Sequence, residues 1–166
     1  MTLNNVFNRV AHWNGLRYPR IYNHSLTLDL LREEHQEFLD ATEPVDKLDA
    51  LCDIIYVACG ALWKLKVDRL CLSSLAKPNN WIDSIETDSD IILLKGLILS
   101  TVGRMIDMGL SEEQCNIALN IVCDSNDSKS VRMTAPGVKA NIDKGAGFVA
   151  PEPRLKELLE QVSWKE

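Results

Sequence analysis

The chain has 166 residues, which suits one domain, and 46% of them are hydrophobic, so a core of ordinary size forms without staples. A formal net charge of −6 argues against a general nucleic-acid binder, because such binding needs Lys and Arg to displace counterions from the phosphate backbone. The charge is compatible with a nucleotide ligand, since a metal ion supplies positive charge locally.

A first helix is predicted over 3–14, where Leu3, Val6, Phe7, Val10 and Trp13 recur at intervals of three and four. A loop with Gly15, Pro19 and several aromatics follows. The second helix runs from about Thr27 to Ala41. Pro44 ends the gap, and the third runs from about Val45 to Lys66. Apolar positions wrap most of the third helix, which predicts a central, buried element. Residues of about 67–88, with Trp81 and the loop signal Pro78-Asn79-Asn80, read as an insertion covering the surface. A fourth helix covers roughly Asp88 to Met108, with Gly109 as its stop. Ser111-Glu112-Glu113-Gln114 caps a fifth, which continues to about Asp124. Residues 125–153 read as loop with at most a short extended pair, and a last helix spans about Arg154–Gln161. No alternating pattern is long enough for a sheet. The expected fold is all-α: a single domain over 1–166, with a four-helix-bundle-type core, additional helices and a long C-terminal loop.

Five cysteines (Cys52, Cys59, Cys71, Cys115 and Cys123) form an odd number without a CxxC pair. Most lie in apolar helical segments, so reduced core thiols of a cytoplasmic protein are expected. The N-terminus lacks the basic-then-apolar layout of a leader. The apolar run around Ile54 to Leu65 is too short and too interrupted for a membrane span, so no membrane partner is expected.

Carboxylates stand where apolar side chains should be. The inward stripe of the second helix begins at Leu30 and Leu31, then reaches Glu34, then Glu37 and Phe38, with Glu33 alongside. Residues three apart on a helix are neighbours, their Cβ atoms roughly 5–6 Å apart. In the third helix the only charges from Leu48 up to Lys64 are Asp49 and Asp53, four apart on one face. An unpartnered buried carboxylate costs several kcal/mol, and no basic residue on either helix neutralises them all. A bound cation resolves the conflict, and clustered oxygen donors favour Mg²⁺ or Mn²⁺ over zinc. A di-iron site would use Glu-x-x-His pairs, and none of His12, His24 and His35 has a Glu three residues before it.

Glu33-Glu34-x-x-Glu37, then Asp49-x-x-x-Asp53-Ile-Ile-Tyr56-Val57-x-x-Gly60, resembles the all-α nucleoside triphosphate pyrophosphohydrolases, which include MazG-like enzymes and a phosphoribosyl-ATP pyrophosphohydrolase-like branch. The MazG-like pattern has Glu-x-x-Asp in its second acidic helix. Here the acid lies four before Asp53, at Asp49, as in the second branch. Ser125-Asn126-Asp127-Ser128-Lys129 and Lys144-Gly145-x-x-Phe148-x-x-Pro151 are similar to that branch's SNxSK and KGxxFxxP segments. The branch is common in phage genomes, so a viral protein would act in the host cytoplasm.

The resemblance implies Mg²⁺-dependent hydrolysis at the α-phosphate of a nucleoside triphosphate, with a deoxynucleotide favoured, giving the monophosphate and pyrophosphate. It implies Glu34, Glu37 and Asp53 as principal metal ligands, with Asp49 supporting and Glu33 as ligand or base; Glu33 and Glu37 are the candidate catalytic carboxylates. Asn126, Lys129 and Lys144 are implied to bind the polyphosphate, and Trp13 is a candidate for stacking on the base. Homodimers or homotetramers are expected. Two rivals stand beside this expectation: hydrolysis of phosphoribosyl-ATP itself, and a non-catalytic helical dimerisation module with a structural metal.

Overall fold

The computed structural model describes residues 3–72, 88–130, 135 and 144–162. Six helices occur among them: α1 (Asn4–Gly15), α2 (His24–Asp40), α3 (Pro44–Lys64), α4 (Asp88–Asp107), α5 (Glu112–Asp127) and α6 (Glu152–Glu160). No strand is present among the described residues, in keeping with the all-α expectation. No described helix is long and apolar enough to cross a membrane.

The central element is α3, which packs against each of the other five helices. Pro44 in its first turn has a pre-set φ and no N–H to waste, and Asp46 and Lys64 complement the dipole at opposite ends. Leu48, Leu51, Cys52, Ile55, Cys59 and Leu62 are all buried. Burying a large aliphatic side chain contributes about 1.5–3 kcal/mol, so this face anchors the fold. The helix stops two residues short of the expected Lys66. There Arg20 draws the chain away, donating from Nε to the Trp63 carbonyl (2.7 Å) and from Nη2 to that of Val67 (3.2 Å), and Lys66 takes a left-handed φ of 68°.

Packed along α3 lies α2, most of which faces outward; Thr27 is its one fully buried residue. It begins at His24, three residues before the expected start, because the Asn23 side-chain carbonyl accepts from the Leu26 N–H at 3.0 Å. At the start of α5, Ser111 and Gln114 form a complete capping box.

The other end of α5 runs to Asp127, beyond the expected Asp124. Arg9 of α1 explains the extension: its Nη2 donates to Asp124 (2.7 Å) and to Asp127 (2.6 Å). Arg154 of α6 adds a second bond to Asp124 (2.7 Å). The polar segment that reads as loop is thus pinned as helix by tertiary partners, and Asn126 is helical. Pro151 caps α6, which starts two residues earlier than expected and buries Leu155, Leu158 and Leu159. Cys52, Cys59, Cys115 and Cys123 are free and buried, and Cys71 is exposed. The expected surface cover with Trp81, and the expected extended pair, fall largely on residues 73–87, 131–134 and 136–143, outside the described residues.

Candidate active site

One face of α3 presents Asp53, Tyr56, Val57, Gly60, Ala61 and Lys64 to a cavity of about 320 Å³. Their spacing of three, four, seven, eight and eleven is a continuous helical stripe. At 1.5 Å of rise per residue, Asp53 and Lys64 lie roughly 16 Å apart along the axis. The cavity therefore has an acidic end and a distal basic end. Glu34 and Thr27 of α2, Trp13 and Asn14 at the end of α1, and Asn126 at the end of α5 complete its walls, with Lys129 and Lys144 from the segments beyond.

At the acidic end, Glu34 and Asp53 line the cavity, and Asp49 lies one turn before Asp53. Glu33 and Glu37 are exposed on α2. Burial, then repulsion from Asp53, pushes the Asp49 carboxyl up to about 7. Asp53 is pushed up to about 7 as well, by burial and then by Glu34. Glu37 and Glu152 raise both, and Lys129 opposes the rise in both. Asp49 Oδ1 is enclosed and accepts no hydrogen bond.

An enclosed carboxylate oxygen without a donor, among several like charges and oxygen ligands only, fits a hard divalent cation. Among the described residues, no three Asp, Glu, His or Cys side chains close into a group that holds a metal by itself. The acids of α2 and α3 thus flank a common region without converging on one point.

At the phosphate-binding candidates, Lys129 Nζ donates to Asn126 Oδ1 at 2.8 Å, while Asn126 Nδ2 donates to the Val122 carbonyl at 3.0 Å. The buried amide thus fixes the ammonium beside the cavity. Burial lowers the Lys129 pKa, Asp53 opposes that, and Lys144 adds to the lowering. Lys144 rests over the Phe148 ring, 4.8 Å from its centroid.

Trp13 lines the cavity but is 7% exposed. Its Nε1 donates to the Asn126 carbonyl (2.7 Å), and the Arg17 guanidinium sits 4.3 Å from the ring centroid. Arg17 is itself 1% exposed. It donates to the carbonyls of Trp13 (3.4 Å), Lys129 (2.8 Å) and Ser130 (3.1 Å). Trp13 and Arg17 together fix the backbone that carries Asn126 and Lys129.

Sequence reasoning missed Lys64, Glu152 and Arg17. Lys64 reads as an ordinary cation at a helix C-terminus. Only the α3 stripe shows that it faces the cavity, its Nζ 4.5 Å from the Tyr18 ring centroid. Glu152 opens α6, far along the chain, and no spacing rule joins it to α3. Arg17 lies in a loop and gives no periodic signal.

Neither curated proteins nor solved structures show a match to this chain. Residues 15–75 match the family model described as phosphoribosyl-ATP pyrophosphohydrolase. The match holds α2, α3 and hence the five candidate acids Glu33, Glu34, Glu37, Asp49 and Asp53, while Trp13, Asn126, Lys129 and Lys144 lie outside it. Over that segment the chain is similar to the phosphoribosyl-ATP pyrophosphohydrolases, which fall within the all-α nucleoside triphosphate pyrophosphohydrolase superfamily.

Proposed function

We propose that this chain is a pyrophosphohydrolase that cleaves nucleoside triphosphates, deoxynucleotides foremost, between the α- and β-phosphates, using Mg²⁺. The observation that carries the reading is the cavity along α3: Asp53 of α3 and Glu34 of α2 at one end of a nucleotide-sized space, with Lys129 and Lys144 on its wall. Glu34, Glu37 and Asp53 are assigned to the cation, with Asp49 supporting and Glu33 adjacent. The cation, when bound, neutralises phosphate charge and lowers the pKa of water.

The chain's own groups do the rest. Lys129 and Lys144 hold the β- and γ-phosphates and stabilise charge on the departing pyrophosphate. Water attacks the α-phosphorus, and a new P–O bond forms as the bond to the α–β bridging oxygen breaks. Glu33 or Glu37 takes the water's proton. Asn126 holds Lys129 in place. Trp13, whose ring face carries Arg17 and whose N–H is committed, offers its remaining rim to the base.

A homodimer is part of the proposal. On α4, Ile92, Leu99 and Ile106 are exposed and recur every seven residues. A Cβ added at Gly96 or Gly103, between them, would meet nothing within 4 Å. An open apolar stripe with heptad spacing suits a second copy of the helix. Light scattering should give a dimeric mass for the wild type and a monomeric one for Leu99→Glu; a monomeric wild type contradicts the assembly. The buried thiols support a reducing, cytoplasmic setting.

The family match favours one second reading, phosphoribosyl-ATP as substrate. A panel of ribo- and deoxyribonucleoside triphosphates and phosphoribosyl-ATP, assayed with Mg²⁺ and with Mn²⁺ for pyrophosphate release, separates the two. Turnover of phosphoribosyl-ATP alone would replace the triphosphate reading. Silence on the whole panel would leave the non-catalytic module.

A further inference from the structure

The distal end of the cavity holds a buried polar group that the hydrolytic machinery does not use. Asn14 is 4% exposed and lines the cavity. Its Nδ2 donates to the Val10 carbonyl at 2.9 Å. That bond sets the orientation of the amide, because a flipped amide would place two carbonyl oxygens against each other. The side-chain carbonyl Oδ1 is left as the free end. Among the described residues it accepts no hydrogen bond, and it is not among the side-chain atoms sealed away from solvent. An amide oxygen that opens on a cavity takes its donor from water or from a ligand that displaces the water.

The surroundings keep that oxygen accessible. Gly60 lies directly beneath the amide: a Cβ built there would stand 3.0 Å from Asn14 Nδ2 and 3.3 Å from Oδ1. A side chain at position 60 would press on the amide. Gly60 belongs to the same α3 stripe as Asp53, seven residues on, which is two turns and roughly 10.5 Å of rise. That separation is comparable with the reach of a nucleoside from its base edge to its α-phosphate. A phosphate chain at the acidic end therefore brings a nucleobase to Asn14.

The geometry points to Asn14 as the specificity-determining residue of the cavity, its Oδ1 accepting from an N–H on the hydrogen-bonding edge of a nucleobase. This role rests on the nucleotide reading of the cavity given above. It predicts that the preferred base carries a ring N–H or amino group at that position. An analogue in which the N–H is removed or methylated should be rejected, because a site built around a hydrogen bond discriminates strongly against its absence.

The test is calorimetric titration of the full chain with α,β-methylene nucleoside triphosphates and, separately, with tripolyphosphate, which has no base. Asn14→Ala should weaken the preferred nucleotide about tenfold or more and flatten the ranking of bases. Tripolyphosphate affinity should stay within about twofold of wild type on the same physical ground, that it has no N–H to lose. Gly60→Ala, which displaces the amide without deleting it, should do the same and decides the matter if Asn14→Ala does not fold. An unchanged base ranking overturns the assignment. So does an equal loss for nucleotide and tripolyphosphate, which would make Asn14 a shaper of the whole pocket. A wild type that binds neither probe fails at the earlier step, the nucleotide reading itself.

Discussion

At the scale of single residues, Asp49 shows the tension in the site most plainly. Its Oδ1 is enclosed without a donor, and burial with Asp53 nearby holds the carboxyl up at about 7. A carboxyl whose folded pKa lies above its unfolded value costs stability as pH rises past the unfolded value and ionisation is forced on the fold. Each unit of such a shift corresponds to about 1.4 kcal/mol. Asp49→Asn should therefore raise the melting temperature of the metal-free protein at pH 8 and diminish the further rise on adding Mg²⁺. A lower metal-free melting temperature would show that the carboxylate is already satisfied. Arg17 carries the opposite lesson. Its fork supports three carbonyls and stacks on Trp13, and among the described residues it makes no hydrogen bond to a carboxylate. Arg17→Lys cannot reproduce that planar geometry. It should cost about 1–3 kcal/mol in denaturant unfolding and raise KM more than it lowers kcat, since Lys129 loses its support. The acids were legible in the sequence because charge in apolar register is conspicuous. Arg17 was not, because two of its three carbonyl partners lie more than a hundred residues away.

At the scale of elements, helical periodicity showed where helices lie and tertiary bonds decided where they end. The sequence reads Ser125-Asn126-Asp127 as loop because all three residues favour caps and turns. Arg9 overrides that preference by bonding both Asp124 and Asp127, one turn apart on α5. The same latch makes a pH prediction. Burial works to raise the Asp124 carboxyl, but hydrogen bonds from Arg154 and Arg9 hold it below its ordinary value. Its contribution is fully present above the ordinary carboxylate range, about 3.9. It is lost as pH falls through the depressed value. Asp124→Asn should lower the melting temperature at pH 7 and reduce its fall on acidification. Equal acid sensitivity in variant and wild type would show that the latch does not couple to folding. The start of α2 illustrates the same point, since Asn23 begins the helix three residues ahead of its apolar pattern.

At the scale of the whole molecule, core and site are two faces of one helix. The face of α3 bearing Leu48, Ile55 and Leu62 organises the bundle, and the face from Asp53 to Lys64 forms the cavity. Ile55→Ala, at a position with no exposure, should cost about 2–5 kcal/mol. It should also lower activity, because any shift of α3 moves the acids relative to Lys129. Full activity at reduced stability would separate the two faces. The central claim is metal-dependent cleavage of a nucleotide anhydride at the acidic end, and pyrophosphate release from nucleoside triphosphates by wild type and Asp53→Asn, with and without Mg²⁺, tests it most directly. The expected result is release by the wild type only when Mg²⁺ is present, with a fall in kcat of about a hundredfold or more in the variant. Release that is independent of Mg²⁺, or unchanged in Asp53→Asn, would contradict it.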